Sequence, residues 1–310
     1  MFAAFKGAII TTDSSGDQDR DQRGDQRDGH DHRIDRGRGG VRADGWHQAA
    51  PFALLAGDPA AVAHDGLSAR LRRMGFRPEP AAGDAVAALI DGAPLRLAFG
   101  ALNVLAGPPS TAMCAASAPG ADGVTAAGPP PPADWADRAI AFVPESMPRA
   151  DDTPPPAAQR YFDRRFFEML VLLIDTFDAD YLYWSPARLW SRADLFRTAV
   201  TEMLDSGMPP VLHLVAFGAR TQGAGTGVET RGLAHFTGQE MAARPPSTMD
   251  HRDVVRRLAR LALDMMINGP ILNARRFPGL DAGEVLVVRP APGADGASPH
   301  IDVAWQDNGD

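Results

Sequence analysis

The chain has 310 residues, of which 45% are hydrophobic and 23% charged, with a formal net charge of -8. That is enough apolar material for a sizeable core. The acidic balance repels phosphate backbones, so nucleic acid is not an expected partner.

Cys114 is the only cysteine, which excludes an intrachain disulfide and fits a reducing, cytoplasmic setting. Met1 to Ile10 lacks the apolar run and small-residue cleavage site of a leader. The densest apolar run elsewhere, Met169 to Ile174, is far short of a membrane span, so no membrane association is expected. Of the 31 basic residues only Lys6 is a lysine. With Ala, Gly and Pro also plentiful, this reads as codon bias of a GC-rich genome rather than as an anion-binding device.

Residues 1–50 read as a disordered Asp/Arg-rich tail. The stretch 13–44 holds nine Asp and seven Arg, and Ile34 and Val41 are its only large aliphatics. It cannot bury enough surface to offset its ordering entropy. Residues 51–310 read as a single domain. Phe52 to Ala56 predicts a strand, and Asp58-Pro59 a helix start running to Met74, stopped by Gly75. Leu95 to Phe99 alternates as a strand.

Residues 107–134 are Ala-, Gly- and Pro-rich and read as a flexible insertion. Ala139 to Val143 resumes as a strand. A long helix follows from about Ala157 to Phe177, with Phe162, Phe166, Met169, Leu170, Leu173, Ile174 and Phe177 covering more than one face. Tyr181 to Trp184 predicts a short buried strand. Ser191 and Asp194 resemble a capping box opening a helix to Leu204, with Leu195, Phe196, Ala199, Val200 and Met203 inward. Val211 to Phe217 and Val228 to Ala234 read as a hairpin around the glycine-rich loop Gly218 to Gly227. Asp250 caps a last helix, on which Val254, Leu258, Leu261 and Met265 form one face. Glu284 to Val288 and His300 to Trp305 are the final strands.

This order predicts an α+β fold: a mostly antiparallel sheet with helices packed on one face. It is built of ferredoxin-like split βαβ units, two of them fused through the strand Tyr181 to Trp184. An exposed edge strand would offer a route to dimers, but the sequence does not say which strand is the edge, and the oligomeric state is unknown from it.

No phosphate-cradling loop, zinc-protease motif, nucleophile elbow or paired C-x-x-C is present. Cys114 lies in the expected insertion, without a held base. Gly223, Gly225 and Gly227 lack the following helix that a dinucleotide site needs. His30-Asp31-His32 sits in the tail, without fixed geometry for a metal. No metal site and no cofactor are therefore expected.

Two clusters remain. Tyr181, Tyr183, Trp184 and Trp190 are either core or a stacking platform, and Trp184 and Trp190 are the binding candidates among them. Arg231, His235 and Glu240, with Gln239 nearby, form the second cluster. On a strand, Arg231 and His235 would point the same way and, with Glu240, could clamp an anion or do acid–base work. The alternative is a solvated strand face with a weak salt bridge. Arg252, Arg256, Arg257 and Arg260 read as the solvated face of the last helix.

The run Tyr183-Trp184-Ser185-Pro186, the next helix, Pro209 to Val215, and then Thr230 to Glu240 resemble an uncharacterised bacterial family, domain of unknown function 4261. Its pattern is a tryptophan-bearing strand, a helix, a strand, a T-x-G-[LM]-x-x-[FL]-G-x-x-E-like turn and a terminal helix. Here Gly238 and Glu240 lie one residue closer than in that form. The resemblance spans residues 139–305, implies no known activity and marks Thr230 to Glu240 as a family hallmark.

Two functional readings follow. One is a non-catalytic binding or protein-interaction module, accessory or immunity-like, taking a protein partner or a small-molecule ligand. The other is a hydrolase or transferase with His235 as general base and Arg231 as anion clamp.

Overall fold

β1 (Ala53–Ala56) is four apolar residues buried on both faces, and it lies inside an eight-stranded sheet. The structure, a computed structural model, describes residues 51–58, 64–81, 89–145, 156–222, 225–292 and 299–306. The Asp/Arg-rich tail, its His30-Asp31-His32 triplet and the helix-opening Pro59 lie outside the described residues.

α1 (His64–Arg73), β2 (Glu79–Pro80), β3 (Leu95–Phe99) and β4 (Leu102–Gly107) follow in order. α2 (Thr111–Ser117), β5 (Thr125–Ala127) and a 3-10 turn at Trp135–Arg138 lead to β6 (Ala139–Pro144). α3 (Pro156–Phe177), β7 (Tyr181–Trp184), β8 (Leu189–Arg192) and α4 (Ala193–Ser206) complete the first layer. The first sheet runs β2-β3-β4-β6-β1-β7-β8-β5, and only the β5–β8 pair is parallel. Within it β4, β6, β1 and β7 lie side by side, each antiparallel to its neighbour. Nothing in this order conflicts with a split βαβ unit.

Alternation along β1 sorts two cores. Ala53 and Leu55 join Phe142, Leu170, Leu173 and Trp184 under α1, α3 and α4. Leu54 and Ala56 join Met113, Trp135, Tyr183 and Trp190 on the opposite face. Each large side chain so buried contributes about 1.5–3 kcal/mol.

The second face is roofed by the segment 107–134, expected as a flexible insertion but built into the layer. Ser110 Oγ accepts from Met113 N and caps α2, Met113 is fully buried, and β5 pairs with β8. Small residues let this segment lie close with little side-chain entropy to lose.

The second layer comprises α5 (Val211–Leu214), β9 (Ala216–Gln222), β10 (Gly225–Arg231), α6 (Leu233–Thr237), β11 (Glu240–Arg244) and α7 (His251–Asn268). β12 (Arg275–Pro278), β13 (Val285–Ala291) and β14 (His300–Gln306) end it. Its sheet runs β12-β13-β14-β11-β10-β9, with only β11–β14 parallel. β7 belongs to the first sheet alone and is not shared with the second. Val254, Leu258, Leu261 and Met265 of α7 pack on Val228, Met241, Leu286, Val288, Ile301 and Val303. Asp250 caps α7 as its sequence position implies, accepting from Arg252 N.

Three local readings change. Val211 does not begin a strand: Pro210 takes the N-cap of α5, and β9 starts only at Ala216. Ser191 does not cap α4. It lies buried at the end of β8, and Arg192 is the N-cap without a side-chain bond. The buried face of α4 runs Ala193, Phe196, Val200, which turns Leu195 outward at 52% exposure.

Arg257 is not on a solvated face. It stands three residues after Val254 and four before Leu261, so helical spacing carries it inward, where it is 5% exposed. Its Nε donates to Glu284 Oε1 at 2.6 Å, and its Nη2 donates to Asp281. Burial alone would raise the Glu284 carboxyl. Bonds from Arg257, the Asp281 and Leu280 amides and the Trp305 indole outweigh that and lower it from 4.5 to about 2.

This pair generates a prediction. Arg257→Ala removes the charged donor from Glu284 and leaves it the Leu280, Asp281 and Trp305 bonds, which will cost about 1.5–3 kcal/mol, whereas Arg256→Ala will stay within about 0.5 kcal/mol. The wild-type contribution is complete above pH 4.5 and is lost as pH falls through about 2. Urea denaturation of the two variants across that range measures both effects.

Candidate functional site

β10 stops at Arg231, and the chain turns at once. Gly232 takes φ 91, and a Cβ there would lie 2.8 Å from the Ala187 Cα, so only glycine fits. α6 follows for five residues, and Gly238, at φ 74, returns the chain to β11. The expected strand through Ala234 is therefore a strand followed by a short helix.

Glu240 shapes this turn. Its Oε1 accepts from Gly232 N at 2.7 Å and Ala234 N at 3.0 Å, while Oε2 accepts from Thr230 Oγ1 at 2.7 Å. Thr230 Oγ1 in turn accepts from Met241 N at 2.7 Å. The carboxylate thus caps the otherwise unpaired amides at the start of α6. Burial raises the Glu240 carboxyl above its usual range, and bonds from the Thr230 hydroxyl and the Ala234, Gly232 and Leu233 amides oppose the shift without cancelling it. Gln239 is also structural: its amide donates to Ile271 O and accepts from Ile271 N, at 3.0 and 2.9 Å.

Arg231 and His235 no longer share a face. Arg231 Nη1 donates to Gly123 O, tying β10 to the turn before β5. His235 Nε2 meets Asp163 Oδ1 of α3 at 2.9 Å. Both side chains are largely buried. The imidazole stands edge-on to Trp184 at 5.5 Å and to Phe236 at 4.7 Å. Arg231, His235 and Glu240 therefore each serve a different partner, and no shared anion position lies between them.

Trp184 and Trp190 are fully buried on opposite faces of the first sheet. Trp184 packs with Phe166 and Phe167. Trp190 meets Trp135 edge-on and donates Nε1 to Ser117 O at 2.7 Å. Neither ring offers a face to a ligand from solvent.

Two polar partners were missed from the sequence. Asp163 is the lone acid within the apolar stripe of α3, three residues before Phe166, and that placement was its only signal. His213 on α5 sets Nδ1 at 3.3 Å from Ser191 Oγ and packs edge-on against Phe196 at 6.2 Å. Burial pushes the His213 imidazole down, which favours its neutral form. Ser191 itself is buried at the base of this pair. Cys114, on α2, is half-buried, and burial followed by Asp91 and Asp137 raises its thiol, which disfavours the thiolate.

Two shallow hollows open on the surface. One, of about 310 Å³, is lined by Arg70, Arg73, Met74 and Thr176. The other, of about 420 Å³, is lined by Pro130, Pro132, Arg138, Asp180, Tyr181 and Arg192. Of the residues in the two candidate clusters, only Tyr181 lines either of these hollows, the second. Among the described residues, no three His, Cys, Asp or Glu side chains are placed to hold a metal ion. No helix among them is long and apolar enough to cross a membrane.

Comparison with protein-family models, with curated proteins and with solved structures found no match for this chain.

Glu240→Ala leaves two amides and a hydroxyl short of an acceptor and will cost about 1–3 kcal/mol. Glu240→Gln keeps one acceptor oxygen and removes the charge. Because burial raises the wild-type carboxyl above 4.5, its contribution is greatest below 4.5 and diminishes as pH rises through the folded value. The stability gap between wild type and Glu240→Gln will therefore narrow with rising pH, as read by denaturant melts at stepped pH.

Proposed function

We propose that the chain is a non-catalytic protein-interaction module whose docking face lies where α4 meets α5. One observation carries this reading: three large apolar side chains stand exposed along a single short stretch of chain. They are Leu195 at 52%, Met208 at 51% and Leu212 at 55%. Phe196 and His213, the neighbours of the two leucines, touch edge-on, so the exposed residues sit on adjoining elements. Contiguous exposed apolar surface favours a protein partner. The structural bonds made by Arg231, His235 and Glu240 weigh on the same side, since each already has a partner within the fold. The resemblance of residues 139–305 to domain of unknown function 4261, a family with no assigned activity, agrees with an accessory or immunity-like role in a bacterial cytoplasm.

The test is purification of the full chain from its own cytosol beside a Leu195→Glu, Leu212→Glu variant. Both substitutions fall on exposed sites and will change stability by less than about 0.5 kcal/mol each. The wild type is expected to retain a stoichiometric protein that the variant loses. Retention of the same partner by the variant would overturn the assigned face. A retained small anion, lost on Arg231→Ala, would instead favour the hydrolase or transferase reading.

A further inference from the structure

The two sheets have four edges, and three of them are guarded. β2 is two residues long and ends in Pro80, and β5 is three residues long. β12 carries Arg275, Arg276 and Pro278, which blunt strand addition through charge and a missing N–H. β9 differs. It is seven residues long, contains no proline and no acid, and among the described residues pairs only with β10.

The register says which backbone groups this edge presents. Gln222 pairs with Gly225, with two residues between them in sequence, so they form the closing pair of the hairpin. A closing pair of that kind exchanges hydrogen bonds, and bonded pairs then alternate along the ladder. Gln222, Arg220, Gly218 and Ala216 therefore bond to β10, while Thr221, Ala219 and Phe217 direct their N–H and C=O groups outward.

We propose that β9 is a self-association edge: two copies of this chain pair their β9 strands antiparallel about a two-fold axis at Ala219, joining two six-stranded sheets into one. This register uses every outward group of both strands. Phe217 bonds across to Thr221 of the second copy, and Ala219 bonds to Ala219. It sets Arg220 across from Gly218 of the second copy. Ala219 is exposed, which leaves the axis open to approach. A second copy fits this row of groups because an isologous contact makes the strand its own complement. The surface is separate from the α4–α5 face, and its test reads mass rather than capture of a partner, so either proposal can fail alone.

The two-fold makes residue 219 its own neighbour, and the experiment exploits this. Sedimentation velocity of the full chain over a concentration series is expected to give a dimer. Ala219→Lys alone and Ala219→Glu alone place like charges at the axis and will each weaken the dimer at least about tenfold. An equimolar mixture of the two variants will restore it as a heterodimer, which also shows that both variants remain folded. A wild-type chain that stays monomeric up to its solubility limit overturns the proposal. So does a dimer that both variants leave intact, or a mixture that stays monomeric.

Discussion

Among the ties between the second layer and the first, the stretch Thr230 to Glu240 supplies the Arg231–Gly123 and His235–Asp163 bonds, and a buried carboxylate gives that stretch its shape. Without Glu240 the start of α6 would leave the Gly232 and Ala234 amides unpaired inside the protein, which is costly where water is excluded. With it, β10 can end at Arg231 and α6 can begin two residues later, at Leu233. The tight glycine at 232 then lets the backbone come down on Ala187. From that position Arg231 reaches back to Gly123 and His235 reaches across to Asp163, both in the first layer. Glu240, Gly232, Arg231 and His235 thus act as one clasp, and each is constrained by the others.

This use of the polar residues bears on function. A catalytic or anion-binding cluster needs groups that converge on one reacting position. Here they diverge, to a backbone carbonyl, to a carboxylate on a helix and to the amides of the turn itself. The aromatic residues are committed in the same way. Trp184 fills the helix-covered core and forms the wall on which the His235 ring stands, while Trp190 fills the opposite core. Features addressed to solvent include the apolar side chains Leu195 on α4 and Leu212 on α5, and the strand β9.

Local signals in the sequence reached the elements they govern. Strict alternation placed β3 at its observed ends, and the aromatic run placed β7. Apolar spacing and Asp250 placed α7. Partner-dependent features were hidden. β5 and β12 are strands only because β8 and β13 lie beside them. Ser191 has the right spacing for a cap, but β8 continues through it to Arg192. Arg257 was read by its charge, although helical spacing already put it inside, and its partner Glu284 lies 27 residues away. The Asp163–His235 contact joins residues 72 apart, and neither reveals the other locally. The Thr230 to Glu240 stretch stood out as the notable polar segment. What the residues alone did not convey was that its glycine at 232 turns a strand into a helix, and so converts an apparent site into a clasp.

The central claim is that the His235–Asp163 contact is a structural tie between the two layers. A double-mutant cycle on urea stability tests it most directly, using Asp163→Asn, His235→Gln and the pair together. The account predicts that each single change destabilises the protein and that the double costs less than the sum, with a coupling of about 1 kcal/mol or more. Single changes that leave stability untouched, or effects that simply add, would contradict it.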